Sequence, residues 1–97
     1  MGPAATNIKA ILAGLKPELE RRYHVQTLAL FGSVVRDDFN ALSDVDIMVD
    51  FSQPIGIEFI DLAEYIEQKL NRRVDLVSRN AIKEPYYKAI EREIVYV

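Results

Sequence analysis

The run Val45-Asp46-Ile47-Met48-Val49-Asp50-Phe51 alternates apolar and acidic residues for part of its length. Successive side chains of a β-strand point to opposite faces. The run therefore suits a strand with one face on a hydrophobic core and the other on a polar site. A second apolar and β-branched run, Val25-Gln26-Thr27-Leu28-Ala29-Leu30-Phe31, is stopped by Gly32 and also reads as a strand. The connection from Gly32 to Ser43 is polar and too short for a crossover helix, with room for a helical turn after Ser33. The two strands are thus expected to be antiparallel neighbours.

Helices are expected around this pair. Ile8, Ile11, Leu12, Leu15 and Leu19 recur at helical spacing after a candidate N-cap at Thr6. That helix should end near Tyr23-His24, and Pro17 should either open a second segment or kink the first. Phe59, Leu62, Ala63, Ile66 and Leu70 form the apolar stripe of a helix from Ile57 to Leu70, with Asn71 as its stop. A strand, Arg73 to Val77, follows a helix long enough to cross the sheet. Ala81 to Glu93 reads as helical with a break near Pro85, and Ile94-Val95-Tyr96-Val97 as a short strand or packed end. The fold class is α/β (α+β): a small mixed sheet packed with helices, in one domain over residues 1–97.

Composition narrows the chemistry. With 97 residues there is one domain's worth of chain. No cysteine is present and His24 is the single histidine, so thiolate and histidine metal sites are implausible. A metal here would be a hard cation on carboxylate oxygens. The net charge of −3 argues against gripping nucleic acid over a long tract. No apolar run is long enough for a membrane span. Met1 to Thr6 lack the pattern of a secretion signal, so a cytoplasmic location is expected.

Asp44 and Asp46, two apart on a strand, point to the same face. Carboxylates held that close repel unless a cation sits between them or one takes a proton. Mg²⁺ is typically held by one or two carboxylates together with substrate phosphates. A simple turn capped by Asp44 would also explain the pair. Asp75 lies inside the apolar run Val74-Asp75-Leu76-Val77, where a carboxylate needs a partner. If its strand lies beside that of Asp46, three carboxylates meet, enough for two divalent ions. Alternatively Asp75 faces water or pairs with Arg72 or Arg73. Gly32 closes its strand without a side chain in the way of a phosphate, and Ser33 and Arg36 can donate to one. Arg72, Arg73, Arg79 and Lys83 read as solvated charges flanking a strand. Glu64 and Glu67 read as the wet face of their helix, Tyr86, Tyr87 and Tyr96 as cover for the core, and His24 as structural.

The stretch Leu30-Phe31-Gly32-Ser33-Val34-Val35-Arg36, followed by Leu42-Ser43-Asp44-Val45-Asp46-Ile47-Met48-Val49, resembles the MNT-type minimal nucleotidyltransferases of the DNA polymerase beta superfamily. The resemblance includes Arg73-Val74-Asp75-Leu76-Val77 and extends loosely over nearly the whole chain. It implies the palm-like nucleotidyltransferase fold. It also implies that Gly32, Ser33, Arg36 and Ser43 bind the nucleotide of ATP. Asp44, Asp46 and Asp75 would hold Mg²⁺, as two ions, and Asp75 would activate the acceptor hydroxyl. Many such proteins are antitoxins paired with a HEPN-family ribonuclease toxin, and some transfer AMP from ATP to a toxin tyrosine. A hetero-oligomer with the toxin is the implied assembly. Two other readings stand beside this one: an antitoxin that masks its toxin by binding alone, and a nucleotidyltransferase acting on RNA or a small molecule. Where the family often has Ala-Arg-Gly, this chain has Val35-Arg36-Asp37.

Overall fold

The computed structural model describes residues 2–36 and 38–97. Asp37, which carries the departure from the family pattern, lies outside the described residues, as does Met1. The first helix, α1 (Pro3–Tyr23), starts earlier than a Thr6 cap would have it. Gly2 is the N-cap, and Pro3 opens the helix where its fixed φ is already helical and its missing N–H is not needed. Thr6 turns its hydroxyl back to the Gly2 carbonyl at 3.1 Å. The helix runs through Pro17 as one element, so no second segment starts there. It ends at Tyr23 as expected. His24 takes the left-handed conformation, φ 59°, and its N–H caps the Leu19 carbonyl. Its own carbonyl accepts the Ser52 N–H at 2.8 Å, tying the helix end to the far end of the sheet.

The two strands read from the sequence are present with the expected bounds: β1 (Val25–Phe31) and β2 (Val45–Phe51). They pair antiparallel, with Phe31 opposite Asp46 and Leu30 opposite Ile47. The helix α2 (Glu58–Leu70) carries the chain back over the sheet and stops at Asn71 in the left-handed region, φ 53°. The strand β3 (Val74–Ser78) then runs parallel to β2, with Asp75 opposite Asp46. The final helical stretch is more broken than expected. A 3₁₀ turn spans Arg79–Ala81, the short helix α3 spans Glu84–Ile90, and a second 3₁₀ turn spans Glu91–Glu93. Pro85 opens α3 rather than interrupting it. The tail forms a two-residue strand, β4 (Val95–Tyr96), antiparallel to β1. The sheet is therefore mixed, in the order β3-β2-β1-β4.

The strands' alternation sorts their side chains onto two faces. One face gives Leu28, Leu30, Val45, Ile47 and Val49 to the main core beneath α1 and α2, where Leu12, Leu19, Leu62 and Ile66 meet them. Fully burying such a side chain contributes about 1.5–3 kcal/mol each. The other face carries a smaller cluster, Ala29, Phe31, Met48 and Ile90, partly covered by Tyr87 and Ile94. Of the three tyrosines expected to cover the core, Tyr87 does so, while Tyr86 and Tyr96 are more than half exposed. No described helix is long and apolar enough to cross a membrane.

Candidate active site

The end of the sheet where β1 stops and β2 and β3 begin gathers the residues singled out from the sequence. Phe31, Asp46 and Asp75 form one row across three strands. By strand alternation Asp46 lies on the face of Met48, opposite the main core, and Asp75 shares that face through its register. The parallel pairing of β2 with β3 sets Asp75 beside Asp46, and as an exposed residue of the edge strand Asp75 also faces water, so both of those readings hold at once.

Gly32 follows Phe31 directly and adopts φ +75°. A Cβ at this position would lie 2.1 Å from the Asp46 Oδ2 atom. The Asp46 carboxylate therefore fills the space that any other residue's side chain would need, which makes glycine a requirement of the site's packing. Gly32 begins a 3₁₀ turn, Gly32–Val35, matching the short helical turn expected after Ser33. The Arg36 N–H closes that turn on the Ser33 carbonyl at 3.0 Å.

The electrostatics follow from this crowding. Burial pushes the Asp46 carboxyl up to about 6, and the neighbouring charges of Asp75 and Asp44 push in the same direction. Arg36 pulls the other way without cancelling them. A carboxylate whose charge is opposed by its surroundings needs either a proton or a cation. The donors present are hard carboxylate oxygens, the type that Mg²⁺ prefers. The donor set therefore fits a divalent ion. Among the described residues, however, no three acidic or histidine side chains converge tightly enough to enclose one ion. Asp44 instead pairs with Arg73, its Oδ1 lying 3.2 Å from the arginine Nε.

The loop leading to Asp44 is built by its own polar groups. The Asn40 side-chain oxygen accepts the Leu42 N–H at 2.8 Å. The Ser43 hydroxyl accepts the Asn40 N–H at 3.2 Å, and the Asn40 carbonyl accepts the Ser43 N–H at 3.1 Å. Ser43, expected at the nucleotide, thus also closes the turn that delivers Asp44. Arg72 contradicts its reading as a solvated charge. Its Nη2 donates to the Asn40 carbonyl at 2.8 Å, and its guanidinium stacks over Phe39 at 4.4 Å. Arg73, by contrast, is exposed as expected. Glu67 likewise leaves the wet face of α2 to accept the Val74 N–H at 2.9 Å, fixing the start of β3.

One site residue was not singled out from the sequence. Glu93 accepts the Gly32 N–H at 3.0 Å and the Arg36 Nη1 at 3.1 and 3.3 Å. It lies 61 positions from Gly32 in the chain, so no local pattern announces it.

Comparison with known proteins gives a consistent picture. The family model described as a nucleotidyltransferase domain matches residues 12–97. The protein adenylyltransferase MntA of Thermococcus cleftensis is 45% identical over 91 residues, covering 93% of this chain and 92% of the relative. A solved structure described provisionally as a minimal nucleotidyltransferase superposes with a TM-score of 0.72 at 26% identity, covering 93% of this chain and 88% of the other. A crystal structure of a toxin-antitoxin with AMP-PNP superposes with a TM-score of 0.59 at 26% identity, covering 72% of this chain and 59% of that one.

Proposed function

Because the chain belongs to the nucleotidyltransferase domain family and is itself a minimal nucleotidyltransferase, we propose that it is an antitoxin that transfers AMP from ATP to a tyrosine hydroxyl of a partner HEPN-family ribonuclease toxin. The reading covers residues 1–97 as one catalytic domain acting in the cytoplasm in complex with that toxin. The observation that carries it is the pair of Asp46, packed against Gly32, and Asp75 beside it on β3, at the strand ends where the turn to Ser33 and Arg36 begins. The adenylyltransferase relative and the AMP-PNP-bound neighbour supply the support for ATP and for a toxin partner.

In this reading Gly32, Ser33, Arg36 and Ser43 hold the triphosphate, and Asp44, Asp46 and Asp75 hold Mg²⁺, as two ions. When bound, the metal neutralises charge developing at the transferred phosphate. Asp75 takes the proton of the acceptor hydroxyl. That oxygen forms its bond to the α-phosphorus as the bond to the β-phosphate oxygen breaks, and pyrophosphate leaves. Arg36 offers a planar cation to the departing charge.

The test is incubation with ATP labelled at the α-phosphate, Mg²⁺ and the toxin encoded beside the gene. Label should reach a toxin tyrosine with the native chain and not with Asp44→Asn/Asp46→Asn. If the double variant still neutralises the toxin at equal concentration and no label transfers, masking by binding replaces the catalytic reading. Label passing to RNA or a small molecule, and not to the toxin, would move the acceptor elsewhere.

A further inference from the structure

We propose that Glu93 is a positioning residue for nucleotide binding: it holds the Gly32 N–H and the Arg36 guanidinium together, so that the phosphate-binding turn is in shape before a triphosphate arrives. This rests on the reading of Gly32 to Arg36 as the nucleotide turn.

The sheet explains how Glu93 gets there. β4 pairs with β1 through Leu30–Val95 and Ala29–Tyr96. Continuing that antiparallel register past Leu30 brings Glu93 opposite Gly32. A two-residue strand contributes little to the sheet's own stability. Its position nonetheless delivers one carboxylate to the turn where β1 ends.

The contacts are those of a fixed strut. Oε1 accepts from Gly32 N at 3.0 Å and from Arg36 Nη1 at 3.3 Å, while Oε2 accepts from Nη1 at 3.1 Å. The Glu93 side chain is 24% exposed against 52% for Arg36, so the carboxylate is the inner member of the pair. A carboxylate this far withdrawn from water is costly unless hydrogen-bonded, and both of its oxygens have donors here.

Two consequences follow for a ligand. Glycine is permissive, so its left-handed φ must be selected by something outside itself. The Glu93 hydrogen bond selects it, at a peptide whose Cα lies against the Asp46 carboxylate. A shifted Gly32 peptide would therefore disturb both the turn and Asp46. Arg36 has a long side chain with many rotamers, and ordering it only on binding would weaken affinity. Glu93 engages its Nη1 and Asp38 faces its Nε at 3.5 Å, which orders the guanidinium in advance.

The experiment compares native protein with Glu93→Ala and the isosteric Glu93→Gln. Binding of ATP with Mg²⁺ is measured by calorimetry, and KM and kcat in the transfer reaction. Glu93→Ala should weaken ATP binding and raise KM by about ten-fold, with a smaller fall in kcat. Glu93→Gln keeps an acceptor for Gly32 and should fall in between. ATP binding unchanged or tighter in Glu93→Ala would overturn the proposal, the tighter case meaning that the carboxylate competes for the phosphate position. Amide exchange at Gly32 gives a readout without nucleotide. It should accelerate by about ten-fold or more in Glu93→Ala at an unchanged circular dichroism spectrum, and an unchanged rate would also overturn the strut. If the native protein itself fails to bind ATP with Mg²⁺, the nucleotide reading falls, and Gly32 exchange still decides whether Glu93 sets the turn.

Discussion

The two faces of the sheet are made by the same strands yet do opposite things. On β2, Val45, Ile47 and Val49 are completely buried beneath α1 and α2. One residue out of phase, Asp46 sits on the other face among like charges, held where its ionisation is opposed. The closed face gains stability from every side chain it buries. The other face also buries Ala29, Phe31 and Met48 beside Ile90, but at its strand ends it carries a carboxyl that is uncomfortable in the protein alone and suited to a cation. A period of two lets a seven-residue strand keep structure and chemistry apart, because a change on one face does not repack the other.

The largest effect should separate the faces most sharply. Asp46→Asn is expected to lower transfer by at least about 100-fold. In metal-free buffer at neutral pH it should raise the melting midpoint by a few degrees, since it removes a charge that burial opposes. Scanning calorimetry beside the transfer assay reads both, and a drop in the midpoint would contradict the strained-carboxyl account. Gly32→Ala should join the faces' separate effects in one variant. A left-handed backbone and a Cβ driven onto Asp46 predict about 1–3 kcal/mol of strain and a loss of transfer of roughly 100-fold. Urea unfolding and kinetics would measure them together.

On the closed face the expected result inverts. Ile47→Ala, at a fully buried position, should cost about 2–5 kcal/mol. Transfer per folded molecule should stay near native, and a large loss of it would mean that the faces are mechanically coupled. A smaller effect concerns pH. The folded state keeps the Asp46 proton up to about 6, whereas the unfolded chain releases it in the usual carboxylate range. This contribution to stability is therefore present below that range and lost as pH rises to about 6. Denaturation midpoints in EDTA should show that slope in the native chain and not in Asp46→Asn. The smallest effect belongs to Arg73, whose side chain is 81% exposed while it pairs with Asp44. Arg73→Ala should leave the melting midpoint within about 2 °C.

Much of this site was legible from neighbouring residues. Gly32, Asp44 and Asp46 lie on or beside strands visible in the chain, β1 as an apolar, β-branched run stopped by glycine and β2 as a partly alternating one, and both have the expected bounds. The start of α1 departs from the sequence pattern because Thr6 suits a cap, although Pro3 and Gly2 suit the position better. Local sequence makes Arg72 look solvated because its partners, the Asn40 carbonyl and Phe39, lie more than thirty positions away. Glu93 could not be picked out at all, since its partners are reached only through the pairing of β4 with β1.

Local order thus determined the strands, the glycine stop and the face that Asp46 takes, because side-chain period and turn chemistry are properties of adjacent residues; Asp44, expected on the same strand, lies just before β2 in the loop. The tertiary structure alone decided that Asp75 lies beside Asp46, that Asp46 occupies the space next to Gly32, and that Glu93 closes on the turn. Those are contacts between distant segments, and only the sheet order β3-β2-β1-β4, stabilised by burying the opposite face, brings them together.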